Sequence, residues 1–177
     1  MDLELIKRIG IAAAYKGGGV LMSHYGNVSR IDKKGVIDLV TEADTESESV
    51  IIETIQNVFT DHTILAEESG LSTGDADHQW IIDPLDGTTN FAHQIGLFSI
   101  SIAFTLNGET VFGLVLNPQT RELFTAVKGK GASLNGRQIA VSTATTIAES
   151  YGRRSVPRLH QGGMIAIESV AIRMNID

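Results

Sequence analysis

Leu3, Leu5, Ile6, Ile9, Ala12, Ala13, Val20 and Leu21 recur at close to helical spacing, which predicts a helix from residue 2 to about 25. Gly17-Gly18-Gly19 falls inside it. Each glycine costs about 1 kcal/mol against alanine in a helix, so a break or a close helix contact is expected there. After Lys33-Lys34-Gly35 comes a short apolar stretch from Val36 to Val40. Thr41 then has the character of an N-cap, with Glu42 and Asp44 at the positive end of a second helix. Val50, Ile51, Ile55, Val58 and Phe59 give that helix one apolar face. Thr63 to Ala66 and Gln79 to Ile82 are short apolar runs ending in acids, which suits buried strands. The polar stretch from Ser72 to His78 between them reads as loop.

From about residue 97 the period changes. Phe98, Ile100, Ile102, Phe104 and Leu106 alternate with Ser99, Ser101, Ala103 and Thr105, the pattern of a strand. Asn107-Gly108 is a two-residue hairpin signal, leading into an apolar run from Val111 to Leu116. Asn117-Pro118-Gln119-Thr120 turns the chain into Glu122 to Val127, and Gly129, Gly131 and Asn135-Gly136 punctuate the stretch up to residue 141. Helices first and then a meander predict an α+β fold, with helices layered over an antiparallel β-sheet. Met164 to Met174 is apolar enough for a helix or a strand, but it closes no recognisable unit.

Composition narrows the class. With 14 Lys+Arg against 21 Asp+Glu, the formal charge of −7 argues against a nucleic-acid partner, which normally meets a basic surface. The absence of cysteine removes disulfide scaffolds, zinc-thiolate sites and cysteine nucleophiles. No apolar run approaches the roughly 20 residues that span a bilayer, and Met1-Asp2-Leu3-Glu4 lacks a signal peptide's basic start. The expectation is a cytoplasmic protein with no membrane partner. His24, His62, His78, His93 and His160 show no metal-ligand spacing, and Arg153, Arg154 and Arg158 read as a solvated basic tail.

The candidate chemistry lies in acids placed at the ends of elements. Asp44 opens the second helix, Glu67 and Glu68 come after one strand, and Asp83 and Asp86 after another. Carboxylates beyond strand ends commonly converge on one sheet edge, where a cation would relieve their repulsion. Ligation by oxygen without sulfur favours Mg²⁺, with Mn²⁺ as an alternative. In Trp80-Ile81-Ile82-Asp83-Pro84-Leu85-Asp86-Gly87-Thr88-Thr89-Asn90-Phe91, two acids flank a proline, so one carboxylate can bridge two cations while the other binds one. Gly87 admits a close ligand, Thr88 and Thr89 add hydroxyls, and a helix starting here would offer N–H groups to a phosphate. Metals beside a phosphate seat are the arrangement that hydrolyses phosphate esters. Taken singly, each feature has a plainer reading: a strand-ending turn at Asp83-Pro84, a solvated pair at Glu67-Glu68, a helix-start charge at Asp44.

Asp83-Pro84-Leu85-Asp86-Gly87-Thr88-Thr89-Asn90-Phe91 resembles the signature of the inositol monophosphatase family. Asp38-Leu39-Val40-Thr41-Glu42-Ala43-Asp44 and Ile64-Leu65-Ala66-Glu67-Glu68-Ser69-Gly70 resemble its two upstream motifs, in the same order. Gly113-Leu114-Val115-Leu116-Asn117-Pro118, Gly129-Lys130-Gly131-Ala132 and Leu134-Asn135-Gly136 are similar to its middle region. The resemblance implies the N-terminal half of the sugar-phosphatase fold. It implies that Glu67, Asp83 and the Leu85 carbonyl hold a first Mg²⁺, and that Asp83 and Asp86 hold a second. Asp44 with Thr88 would activate the attacking water, Gly87 and Thr88 would bind the phosphate, and Lys33 and Glu68 would be accessory. The implied activity is hydrolysis of inositol-1-phosphate or a similar sugar phosphate, and the implied assembly is a homodimer. Other members of the family act on fructose bisphosphate, histidinol phosphate and phosphoadenosine phosphates, and Thr89-Asn90-Phe91 looks more like the inositol phosphatase branch.

The resemblance runs over residues 1–150, expected as a metal-binding α+β domain, and stops in a divergent tail at 151–177 with no second domain. The family continues into an α/β half whose Trp-Asp motif completes the second metal site, whereas Trp80 is the single tryptophan of this chain. The tail reads as out-of-frame translation of a truncated gene or as a genuine short product. The alternative to an active phosphomonoesterase is therefore a catalytically inactive metal-binding fragment.

Overall fold

The computed structural model describes residues 2–26, 31–34 and 38–141, with side chains described outside 31–41. Helix α1, Leu3–His24, starts at Asp2, whose carboxylate accepts the Glu4 and Leu5 N–H groups at 3.0 and 3.1 Å. It runs unbroken through Gly17-Gly18-Gly19. Two of them serve the close contact that the sequence offered as the alternative to a break. A Cβ on Gly17 would stand 2.7 Å from Ile51 Cδ1, and one on Gly18 would stand 3.2 Å from Pro118 Cβ, while Gly19 faces open space. Strands β1, Ile31–Lys34, and β2, Asp38–Thr41, form a small antiparallel pair, and helix α2 covers Glu42–Gln56. The Thr41 side chain, expected as the N-cap, lies outside the described residues.

The main sheet contains β3 (His62–Ala66), β4 (Gly70–Leu71), β5 (Asp75–Asp86), β6 (Ser99–Leu106), β7 (Glu109–Asn117), β8 (Glu122–Val127), β9 (Gly131–Leu134) and β10 (Arg137–Ile139). Their order is β10-β9-β8-β7-β6-β5-β3-β4. From β5 to β10 each strand is antiparallel to the next, as a meander requires. Asn107 and Gly108 both take positive φ, 52° and 77°, so the first hairpin uses the turn whose twist matches its strands. Helices α1 and α2 cover one face, over Trp80, Ile82, Ile100, Ile102, Phe104, Phe112, Leu114 and Leu116, all buried. The α+β layering expected from the sequence is thus observed.

Three details differ from expectation. The sheet is mixed, because β3 and β5 are parallel: the intervening hairpin strand β4 turns back, so β5 re-enters in the direction of β3. The polar 72–78 stretch is not all loop, since β5 already begins at Asp75. Its register against β3 jumps from His62↔Asp75 to Thr63↔Gln79, so polar residues are accommodated in an irregularity of the ladder. Finally, the small residues Ser101, Ala103 and Thr105 of β6 are buried as well as its large ones. An interior strand lies between two neighbours, and larger cross-strand partners such as Ile81 and Val115 shade its short side chains. The segment 142–177, including Met164 to Met174 and the three arginines, lies outside the described residues.

Candidate active site

The parallel pairing of β3 with β5 decides where the acids meet. Ala66 stands opposite Ile82, so the next residues, Glu67 and Asp83, leave the same end of adjacent strands. The Glu67 N–H donates to the Ile82 carbonyl at 3.2 Å and extends the alignment one residue further. Beyond Asp83 the ladder to β6 shifts: Asp83 pairs with Ser101 and Asp86 with Ser99. Between these pairs, two residues of β5, Pro84 and Leu85, face one of β6, Ile100. In a regular strand, residues three apart point to opposite faces; this extra residue returns Asp86 to the side that Asp83 uses. Pro84, which has no N–H to offer the ladder, sits within the irregularity. The Leu85 N–H donates back to Asp83 Oδ1 at 3.1 Å.

Gly87 comes next in the left-handed region, φ 90°, and caps the short helix α3, Thr88–Ala92. A Cβ there would stand 2.9 Å from the Leu97 carbonyl oxygen, so only glycine fits. Thr88 Oγ1 donates to the Leu85 carbonyl at 3.1 Å. Phe91, fully buried, anchors α3 against Tyr25 and Phe98, with ring centroids 5.6 and 5.0 Å away.

Helix α2 supplies the other side. Asp44 lies in its first turn and is 3% exposed. One turn on, Ser47 Oγ donates to the Pro84 carbonyl at 3.3 Å. Next to it, the buried Glu48 accepts the Glu68 N–H at 2.8 Å on one carboxylate oxygen and the Ser69 N–H at 2.9 Å on the other.

Electrostatically these acids feel one another. Burial pushes the Asp83 carboxyl up to about 9, reinforced by the charges of Glu67, Asp86 and Asp44 and by a hydrogen bond with Glu67. Burial also raises Asp86, against the Gly87 N–H that donates to its carboxylate. Among the described residues no three acidic or imidazole side chains already stand as a formed ion cage. Instead Glu67 and Asp83 share a hydrogen bond, which demands a proton between two carboxyl oxygens. A hard divalent cation fits this donor set, because it neutralises the same oxygens without desolvating a lone charge.

Of the residues singled out in the sequence, Asp44, Glu67, Asp83 and Asp86 interact within one cluster, and Leu85, Gly87 and Thr88 line the turn immediately beyond it. Glu68 contributes its backbone N–H to Glu48. Lys33 lies in β1 opposite Leu39, and its side chain lies outside the described residues. Sequence reasoning misses Ser47 and Glu48. Their positions three and four residues after Asp44 in one helix are the available signal, since those offsets share a helical face.

His24, His62 and His78 make their contacts elsewhere. His24 Nε2 meets Glu46 at 2.8 Å, and His78 Nδ1 meets Asp75 at 2.7 Å. His62 accepts the Trp80 indole N–H at 3.1 Å and stacks between Phe59 and His78.

Comparison with known proteins identifies the family and agrees with the fold. The model of the inositol monophosphatase family matches residues 2–169, and so extends past residue 150, where the motif resemblance ends. The Nus factor SuhB of Escherichia coli is 45% identical over 139 residues, which cover 77% of this chain and 52% of that protein. The solved extragenic suppressor protein SuhB of Bartonella henselae superposes with a TM-score of 0.77 at 39% identity, covering 79% of this chain and 55% of the other. The IMPase of Thermotoga maritima gives 0.73 at 41% identity, covering 80% and 55%. The chain spans about half the length of the curated relatives it matches.

Proposed function

The chain belongs to the inositol monophosphatase family, and on that premise we propose that it carries the metal and phosphate site of a Mg²⁺-dependent phosphomonoesterase. Its substrate is inositol-1-phosphate or a similar sugar phosphate. Mg²⁺, with Mn²⁺ as an alternative, supplies charge that stabilises the phosphoryl oxygens and acidifies a water. Glu67, Asp83 and the Leu85 carbonyl would hold a first ion, and Asp83 with Asp86 a second. Gly87 and Thr88 would offer backbone N–H groups to the phosphate, and in the metal-free chain the Gly87 N–H donates to the Asp86 carboxylate. Asp44 and the Thr88 hydroxyl orient the attacking water, and Asp44 accepts its proton. The water oxygen bonds to phosphorus as the ester oxygen leaves in line. Lys33 and Glu68 are accessory to this site, and 1–150 forms its domain, distinct from the tail at 151–177.

The observation that carries this reading is the register that brings Glu67, Asp83 and Asp86 together beside Asp44, with Asp83 buried and its carboxyl held well above the ordinary value by burial and by those neighbours. A group so placed disfavours the metal-free fold at neutral pH, and a cation removes the conflict. The test is Mg²⁺-dependent phosphate release from inositol-1-phosphate by the 177-residue chain beside its Asp83→Asn variant. Release above that variant supports the proposal, and equal release by a folded chain refutes it.

One second reading is a metal-binding chain without phosphatase activity, and it is favoured by the printed name of the curated relatives. Those relatives are named as a factor and not as a hydrolase. Mg²⁺-dependent stabilisation without phosphate release would select this reading.

A further inference from the structure

Glu48 belongs to no motif singled out in the sequence, yet it is 4% exposed and its carboxylate points at the loop that carries Glu67. That loop is short. Ala66 pairs with Gly70, so residues 67–69 alone form the turn, and Leu65↔Leu71 and Ala66↔Gly70 are the register pairs of β3 with β4. One position further on, the Ser72 N–H donates to the Ile64 carbonyl and the Ile64 N–H to Ser72 Oγ, both at 2.8 Å, so the base of the hairpin is tied while the Glu68 and Ser69 amides at its tip donate outside the ladder. Two of the three turn amides, those of Glu68 and Ser69, are claimed by the two oxygens of Glu48 at 2.8 and 2.9 Å. Bidentate acceptance by a charged group is among the stronger hydrogen-bond arrangements and fixes orientation as well as position.

Helix α2 is itself set rigidly. Gly17 of α1 lets Ser47 Oγ and Ile51 approach to distances at which a Cβ would collide, 2.8 and 2.7 Å. Ser47 reaches the Pro84 carbonyl from the same helical turn as Glu48. One face of α2 therefore grips the backbone beside Asp83 and the backbone beside Glu67 simultaneously.

We propose that Glu48 is a positioning residue for the metal site: its carboxylate holds the 67–69 turn so that Glu67 stays aligned with Asp83. The proposal rests on the metal reading above. It assigns Glu48 no contact with metal or substrate, since both its oxygens are committed to backbone N–H groups. Glu48→Gln keeps the shape but replaces one acceptor by an NH₂ group that faces another donor. A residue that merely filled space would tolerate that change.

The test measures Mg²⁺ affinity from the dependence of the unfolding midpoint on Mg²⁺ concentration, for the wild-type chain, Glu48→Gln and Ile55→Val. Ile55 is a fully buried α2 residue, so its variant controls for destabilisation alone. Weakening an outer hydrogen-bond partner of a metal ligand typically costs 10–100-fold in affinity. Glu48→Gln is expected to bind Mg²⁺ about tenfold more weakly, with Ile55→Val unchanged. Wild-type affinity in Glu48→Gln overturns the proposal, as does an equal loss in Ile55→Val. Absence of any Mg²⁺ response in the wild-type chain counts against the metal reading instead. Amide exchange of the metal-free wild-type chain then decides on the brace alone, and does so equally if Glu48→Gln fails to fold. Protection of the Glu68 and Ser69 amides matching that of β3 supports it, and exchange at free-loop rates overturns it.

Discussion

Replacing Asp83 by asparagine should stabilise the metal-free chain, although it removes a residue central to the proposed activity. Asp83 is 3% exposed, and burial with the charges of Glu67, Asp86 and Asp44 raises its carboxyl from 3.8 to about 9. At pH 7 the side chain is ionised in the unfolded chain and protonated in the folded one. Folding must therefore take up a proton across the interval between the unfolded value and pH 7, at about 1.4 kcal/mol per pH unit, or on the order of 4 kcal/mol. The sign comes from proton counting. The native state binds more protons, so stability falls as pH rises from near 4 through about 9. Asparagine does not titrate, keeps an oxygen for the Leu85 N–H and turns an NH₂ donor towards Glu67. Urea unfolding in EDTA, monitored by the fluorescence of the single Trp80, should show Asp83→Asn more stable by several kcal/mol at pH 8. That corresponds to roughly 8–16 °C in midpoint for a chain of this size. The advantage should shrink towards zero near pH 4 and should narrow when saturating Mg²⁺ stabilises the wild-type chain by mass action. An advantage that is absent at pH 8, or that does not change with pH, would refute the reasoning.

The packing that supports the site can be probed in the same way. Gly17→Ala drives a Cβ to 2.7 Å from Ile51 Cδ1 and should cost about 1–3 kcal/mol, whereas Gly19→Ala meets nothing within 4 Å and should stabilise by about 0.5–1 kcal/mol; equal midpoints for the two variants in thermal unfolding would contradict the packing. Gly87→Ala combines a positive φ of 90° with a 2.9 Å approach to the Leu97 carbonyl, so it should lower stability by about 1–3 kcal/mol and weaken phosphate-ester binding, measured by calorimetry with Mg²⁺ present. Burial first, and then the charge of His78, hold His62 below its usual value of 6.5, so the folded chain resists protonating it. Stability should therefore fall as pH drops below 6.5, with a matching change in Trp80 emission as the indole loses its acceptor, and His62→Leu should remove both effects.

Much of the site is legible in the sequence because its residues are local. Asp83 to Phe91 lie in one segment, and the chemistry of two acids, a proline, a glycine and two threonines can be argued from their types alone. The hairpin at Asn107-Gly108 is legible for the same reason, since turn geometry depends on two residues and their φ angles. Glu48 is not legible. A glutamate in a helix looks by its type like a solvated charge even where it shares the buried face with Ile51 and Ile55, and only packing of α2 against the 67–69 turn reveals what its two oxygens accept. The buried small residues of β6 escape notice likewise, because alternation identifies a strand but says nothing of how many strands flank it.

By itself the sequence determined the α+β layering, the hairpins and the identity of the acids, because periodicity, turn chemistry and ligand type are properties of neighbouring residues. Only the tertiary structure decided that β3 and β5 run parallel with Ala66 opposite Ile82, and that one extra residue around Pro84 brings Asp86 to the side of Asp83. It also decided that three consecutive glycines divide into two contacts and one open position. Register and close approach are relations between segments far apart in the chain, and no local pattern specifies them. That relation buries Asp83 among the charges of Glu67, Asp86 and Asp44, which oppose its ionisation.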